Sequence, residues 1–287
     1  MRVVSLLPAG TEIAAALGAG GWLAGVSHEC DWPPEVRTLP RVTRTTVDAA
    51  LPSAEIDQRM ADARRSGEPP VTIDLEALEH LRPDVIIGQS LCDVCAVDVG
   101  AHHAAPLLAG LPSRPRVVTL HAHDLAGVFA DIGKVGDALD LAGEAEELVA
   151  GLQYRLRRVG AQHAAPVHAQ PRVLVLEWVA PPYVAGHWVP ELVAAAGGVD
   201  VGARAGDRSV TRTWPELRAL APDVAVVALC GFDVPRARRE VAAVTDRDAR
   251  ALLGDARMVF LDGNAYTSRP GPRLVEAAEL LAQLIDG

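Results

Sequence analysis

The chain has 287 residues, of which 49% are hydrophobic, 22% charged and 4% aromatic; that balance suits a folded globular protein and excludes disordered and fibrous classes. Lys and Arg total 27 against 37 Asp and Glu, a net charge of −10, so phosphate backbones are repelled and nucleic acid is excluded as a partner. No stretch reaches the roughly 18 consecutive apolar residues of a membrane span, and four cysteines are too few for a disulfide scaffold.

Arg2 to Leu7 is a short apolar run ending at Pro8, which predicts a buried strand. Thr11 precedes a helical run from Glu12 to Leu17 that Gly18 closes. The apolar stretch from Val3 to Gly21 imitates an export signal, but Pro8 and Glu12 interrupt it, and it reads as folded strand and helix. A cytoplasmic protein is therefore expected, or a periplasmic or extracellular one if a signal has been removed. Leu23–Ser27 reads as the next strand, Ser53–Ser66 as a polar helix, and Asp84–Gly88 and Arg116–Leu120 as strands. Strands alternating with helices are the α/β signature.

From Asp124 to Gln162 there is no proline, and Val128, Ile132, Val135 and Leu139 recur at helical spacing. Glu144, Glu146 and Glu147 come early and Arg155, Arg157 and Arg158 late, as the helix dipole prefers. This predicts one long helix, followed by a Pro/His/Ala-rich linker from Ala164 to Pro171. The second half then restarts the first. Arg172–Leu176 echoes the opening strand, and Leu78–Ile87 matches Leu217–Val226, with 139 residues from Pro83 to Pro222. The expected organisation is an N-terminal α/β lobe over 1–123, a bridging helix over 124–162 and a C-terminal α/β lobe over 163–287.

In open α/β sheets, ligands bind beyond the carboxyl ends of the strands. The loops predicted there are rich in chemistry. Cys30, Cys92, Cys95 and Cys230 all fall in them. Cys92-x-x-Cys95 has a chelating or redox spacing, and four thiolates would suit Zn²⁺ or an iron–sulfur cluster. His28 and Glu29 flank Cys30 and, with His187, are candidates for a general base or a ligand. His102-His103 and His121-x-His123 read instead as surface or capping residues. Only eleven aromatics exist, yet Trp32, Trp178, Tyr183, Trp188, Phe232 and Tyr266 sit in these loops. Core packing would draw them into helices and strands, whereas rigid aromatic walls suit a large flat ligand. Gln89, Glu177 and Arg269 stand beside them, and Arg269 with Arg273 could clamp an anionic group. No nucleotide-binding loop or nucleophile elbow is present.

Arg2–Ile13, the Gly25–Pro33 block containing His28-Glu-Cys-Asp-Trp-Pro33, Leu81–Ile87 and Asn264–Arg273 together resemble the class III periplasmic-binding-protein-like superfamily. Within it, the chain is most similar to the vitamin B12 (cobalamin) binding proteins of ABC importers. The resemblance implies two Rossmann-like lobes bridged by one long helix, cobalamin as ligand in the cleft between them, and an ABC importer as partner. Two readings stay open. One is a binding protein whose small-molecule ligand, a corrinoid or similar flat molecule, lies against Trp32, Gln89, Glu177, Trp178, Trp188, Phe232, Tyr266 and Arg269. The other is a cytosolic metalloprotein or enzyme holding Zn or an iron–sulfur cluster on the four cysteines. The first ranks ahead, and a monomer is the expected state.

Overall fold

The computed structural model describes residues 1–90, 97–100, 104–164, 166 and 169–286. The chain divides into two compact units. One comprises residues 1–50, 58–122 and 126–151, and the other residues 51–57, 123–125 and 152–287.

The first unit is built on a four-stranded sheet. Its strands β1 (Val3–Ser5), β2 (Leu23–Val26), β5 (Val85–Gln89) and β6 (Arg116–Leu120) lie in the order β2-β1-β5-β6, all parallel. A small antiparallel pair, β3 (Thr43–Thr45) and β4 (Val71–Ile73), stands apart from it. The helices are α1 (Pro8–Ala14), α2 (Ser53–Ser66, whose first turn belongs to the other unit), α3 (Leu75–Leu81) and α4 (Ala105–Ala109). Val4, Leu6, Leu78, Leu81, Ile86 and Leu108 form its core. The strands are nearly continuous apolar runs because a parallel sheet is covered on both faces. Gly18, with φ of 82°, ends the helical run that follows β1, as its lack of a Cβ allows.

The helix predicted over 124–162 is two helices, α5 (Leu125–Ala138) and α6 (Ala142–Gln162). Asp140 between them takes a left-handed φ of 58°, and Leu141 N–H donates to Gly136 O at 2.8 Å. That bond reaches back five residues, as in a Schellman stop. No proline announces it, because Asp reaches the left-handed region through its short polar side chain. The passage from the first unit to the second falls within α6, after Gly151.

The second unit contains β7 (Arg172–Val179), β8 (Pro182–Val184), β9 (Val199–Asp200), β10 (Val210–Thr211), β11 (Val224–Val227) and β12 (Arg257–Phe260). The sheet order is β10-β8-β7-β11-β12, with β9 pairing the start of β7. β7, β11 and β12 run parallel, while β8 and β10 are antiparallel additions. Helices α7 (Val189–Ala195), α8 (Trp214–Ala219), α9 (Val234–Ala243), α10 (Arg247–Asp255) and α11 (Leu274–Asp286) accompany them. Leu174, Leu176, Leu217, Val227, Leu229 and Leu252 anchor the core.

The repeated sequence segment is a repeated structural device. Arg82 and Ala221 both take left-handed φ, 50° and 45°, at the ends of α3 and α8. A proline follows each and disfavours helical continuation. Asp84 then accepts a hydrogen bond from Arg2 N–H at 2.7 Å, and Asp223 accepts one from Arg172 N–H at 2.8 Å. The same two aspartates accept from Arg116 and Arg257 N–H through their backbone oxygens, each at 2.9 Å. Each aspartate, just before its own strand, thus ties down the starts of the two strands that flank it.

Candidate ligand-binding site

Loops following β7, β8, β11 and β12 are knit into one surface on the second unit. Register between β7 and β8 slips between Leu176 and Trp178, leaving Glu177 as the extra residue of a β-bulge. Bulges re-aim side chains and recur beside functional sites. Glu177 O accepts from Cys230 N–H at 2.9 Å, and Phe232 O accepts from Asn264 N–H at 3.2 Å. The Trp188 indole N–H donates to Thr267 O at 2.9 Å. Gly263 is glycine because a Cβ there would run into the Leu229 carbonyl.

Trp178 and Phe232 meet at 5.1 Å between ring centroids, tilted by 36°. The Trp178 indole N–H donates to Ser53 O at 3.2 Å. Phe232 carries the Arg236 guanidinium at 4.7 Å, and Tyr266 carries that of Arg273 at 4.8 Å. Burial separates these aromatics. Trp188 and Phe232 are 4% and 7% exposed and serve as packed supports, whereas Trp178 and Tyr266 are half-buried. Arg269 is buried and donates to Asn264 Oδ1 at 2.8 Å, so its guanidinium braces the turn that carries Tyr266.

Glu177 is half-buried. Loss of hydration pushes its carboxyl up to about 7, against which a hydrogen bond from Ser209 acts only partly. His187 stands in the adjacent loop with a left-handed φ of 53°. Its backbone is pinned by His187 N–H to Asp207 O at 2.6 Å and Gly206 N–H to His187 O at 2.9 Å. The ring stacks on Trp188 at 5.4 Å and lies 5.7 Å from that of His123. Its Nδ1 is buried without a hydrogen-bond partner among the described residues. Burial first, and then the His123 and Arg208 charges, lower its pKa below the ordinary 6.5.

On the first unit, the residues after β2 form a brace. His28 Nδ1 lies 2.7 Å from Thr43 Oγ1, and Nε2 lies 3.6 Å from Glu29 Oε1. Burial, then Arg41, lowers the His28 pKa. The Cys30 sulfur sits 3.1 Å from both Thr11 Oγ1 and Ser27 Oγ. The Arg41 guanidinium donates to Ser27 O at 2.9 Å and to Cys30 O at 2.7 Å. The polar residues at this strand end thus bond to one another and to Thr11 of α1 and Thr43 of β3. Trp32 is 43% exposed, while Gln89, the last residue of β5, is buried.

Of the four cysteines singled out from the sequence, Cys30 lies in the first unit against Thr11 and Ser27, Cys230 lies in the second, and Cys92 and Cys95 lie outside the described residues. Among the described residues, no group of three or more His, Cys, Asp or Glu is placed to hold a metal ion. His102 and His103 also lie outside them. His121 is exposed and bonds Ser90 Oγ at 2.9 Å, whereas His123 faces His187. Sequence reasoning set His123 aside and did not single out Ser209. Neither carries a sequence signal, since their partners are 64 and 32 residues away.

The periplasmic binding protein family model matches residues 3–244. Among solved structures, the periplasmic vitamin B12 binding protein BtuF of Vibrio cholerae is 20% identical, covering 99% of this chain and 96% of that one, with a TM-score of 0.70. The periplasmic heme-binding protein RhuT from Roseiflexus sp. RS-1 is 24% identical, covering 99% and 98%, also at 0.70. An ABC transporter substrate-binding protein from Listeria monocytogenes EGD-e is 19% identical, covering 100% and 99%, at 0.70. No curated protein matches the chain. The family match overturns the expected cytoplasmic location, which rested on Pro8 and Glu12 interrupting the N-terminal apolar stretch; both sit in α1 as ordinary helix residues. With two α/β units, a knit surface at the carboxyl ends of β7, β11 and β12, and a family match over most of its length, this chain belongs to the periplasmic binding protein family.

Proposed function

We propose that the protein captures a large, flat, tetrapyrrole-type ligand, a corrinoid such as cobalamin foremost, and delivers it to an ABC importer outside the cytoplasm. The observation that carries this reading is the aromatic surface at the carboxyl ends of β7 and β11. Trp178 and Tyr266 are half-buried, Trp178 packs on the buried Phe232, the buried Trp188 bonds Thr267 beside Tyr266, and Glu177 and His187 add polar groups from the same strand end and the neighbouring loop. Preformed aromatic surfaces with few polar groups are how such ligands are held. Fold relatives described as vitamin B12 and heme binding proteins support the same ligand class.

The test is a titration of the purified protein with cyanocobalamin and with hemin, followed by tryptophan quenching and the ligand's visible spectrum. Saturable binding at micromolar concentration or below is expected. Replacing Trp178 by Ala is expected to weaken it by roughly tenfold or more, as loss of an aromatic anchor does. Absence of saturable binding by either ligand refutes the reading.

A further inference from the structure

Ser209 fixes the chemistry available at Glu177. Its Oγ accepts from Gly186 N–H at 3.0 Å, and its single O–H is directed to the Glu177 carboxylate. Gly186 is glycine because a Cβ would meet the backbone of Arg208 and Ser209 at 2.7 Å, so the two loops cannot separate without breaking this contact. An ionised carboxylate offers about four acceptor sites, and Ser209 can fill one. Of the nearby charges, Arg208 and His123 bear on the His187 imidazole, while the Glu177 carboxyl is governed by burial and by Ser209. The bulge at Glu177 therefore holds an acceptor-rich, half-buried group next in sequence to Trp178, with no ion-pair partner among the described residues.

We propose that Glu177 sets the ligand class of this surface by edge chemistry, accepting hydrogen bonds from a tetrapyrrole edge of neutral amides and rejecting an edge of carboxylates. This rests on the tetrapyrrole reading above and narrows it. A corrinoid carries amide side chains, whose N–H groups fill the open acceptor sites. A heme carries two propionates, which bring like charge and no donor at neutral pH. Discrimination then comes from an unfavourable contact with the wrong ligand as much as from a good one with the right ligand.

The experiment compares hemin with hemin dimethyl ester, two ligands that share ring and iron and differ at the edge by two charges and two methyl groups, alongside dicyanocobinamide. At pH 8 the unaltered protein is expected to bind the ester on the order of tenfold more tightly than the acid, as a partly screened like-charge contact requires. In Glu177→Gln this ratio is expected to fall toward one. Equal affinity for ester and acid in the unaltered protein overturns the proposal, and so does a ratio that Glu177→Gln leaves in place. If Glu177→Gln does not fold, Ser209→Ala substitutes for it. Losing the one internal donor raises the Glu177 pKa further, so less of it is ionised at pH 8 and the ratio is expected to fall; an unchanged ratio overturns the proposal. Failure of all three ligands to bind the unaltered protein instead removes the tetrapyrrole reading itself.

Discussion

Replacing Glu177 by Gln should stabilise the protein in a manner that depends on pH. The native carboxyl is pushed up to about 7 from its ordinary 4.5, chiefly by burial and only partly offset by Ser209. Between these two values the unfolded chain has lost the proton that the native state still holds. Stability therefore falls as pH rises through that window. Below pH 4.5 both states are protonated and the penalty is absent; above about 7 it is fully present. The interval corresponds to about 3 kcal/mol at most, with partial exposure of the group reducing it toward about 2 kcal/mol. Glutamine keeps the shape and an acceptor for Ser209 while removing the charge. Urea unfolding of both proteins from pH 4 to 8.5, followed by tryptophan fluorescence, should give nearly equal stability at pH 4 and a gain of about 2–3 kcal/mol for the variant at pH 8. Asp200, also raised, to about 6, by burial, is common to both proteins and cancels in the difference. A gain that does not vary with pH, or a loss at pH 8, refutes the reasoning. That outcome would mean the carboxylate is already well solvated or paired in the native state.

Other expectations follow from the same geometry. Trp188→Phe removes the indole N–H that satisfies Thr267 O and should cost about 1–3 kcal/mol in urea unfolding, a loss that an exposed ligand wall would not show. Gly263→Ala places a Cβ against the Leu229 carbonyl and should destabilise the protein by several kcal/mol or prevent folding, on the order of the overpacking cost, as read by thermal unfolding. Asp84→Ala and Asp223→Ala each untie the start of one strand and should each cost about 1 kcal/mol; a large difference between them would show that the two devices are not equivalent. The His187 imidazole should titrate below 6.5 by NMR, because burial and the nearby His123 and Arg208 disfavour its charged form. Stability contributed by the neutral ring is then lost as pH falls below 6.5, and a measured value at or above 6.5 contradicts this.

Much of the fold was legible because it is written locally. Apolar runs bounded by proline located β1, β5, β6 and β7 to within a residue or two at most ends. The matched segments ending in Pro83-Asp84 and Pro222-Asp223 announced a repeated helix–strand joint, since a left-handed residue before proline stops a helix wherever it occurs. The break at Asp140 was not legible, because an aspartate in the left-handed region leaves no pattern distinct from a helical aspartate. Among the site residues, sequence position placed Phe232 and Tyr266 in loops after strands, whereas Trp178 lies within β7 and Tyr183 within β8, and position could not rank them. Trp188 and Trp178 look alike as letters, and only packing makes one a buried support and the other a half-exposed face.

By itself, the sequence determined an α/β chain with a duplicated joint, chemistry gathered at the carboxyl ends of strands, and membership of a solute-binding family. The first two follow from periodicity and turn residues, which act over a few neighbours; the family was a resemblance of motifs that the family match then established. Tertiary structure alone decided what each polar group does. It spent Cys30, His28 and Arg41 on bracing one loop, spent Arg269 on another, and left Glu177 in a bulge with Ser209 as its internal donor. The difference arises because hydrogen-bond satisfaction and desolvation depend on which distant residues fold against a group, and no local pattern carries that information.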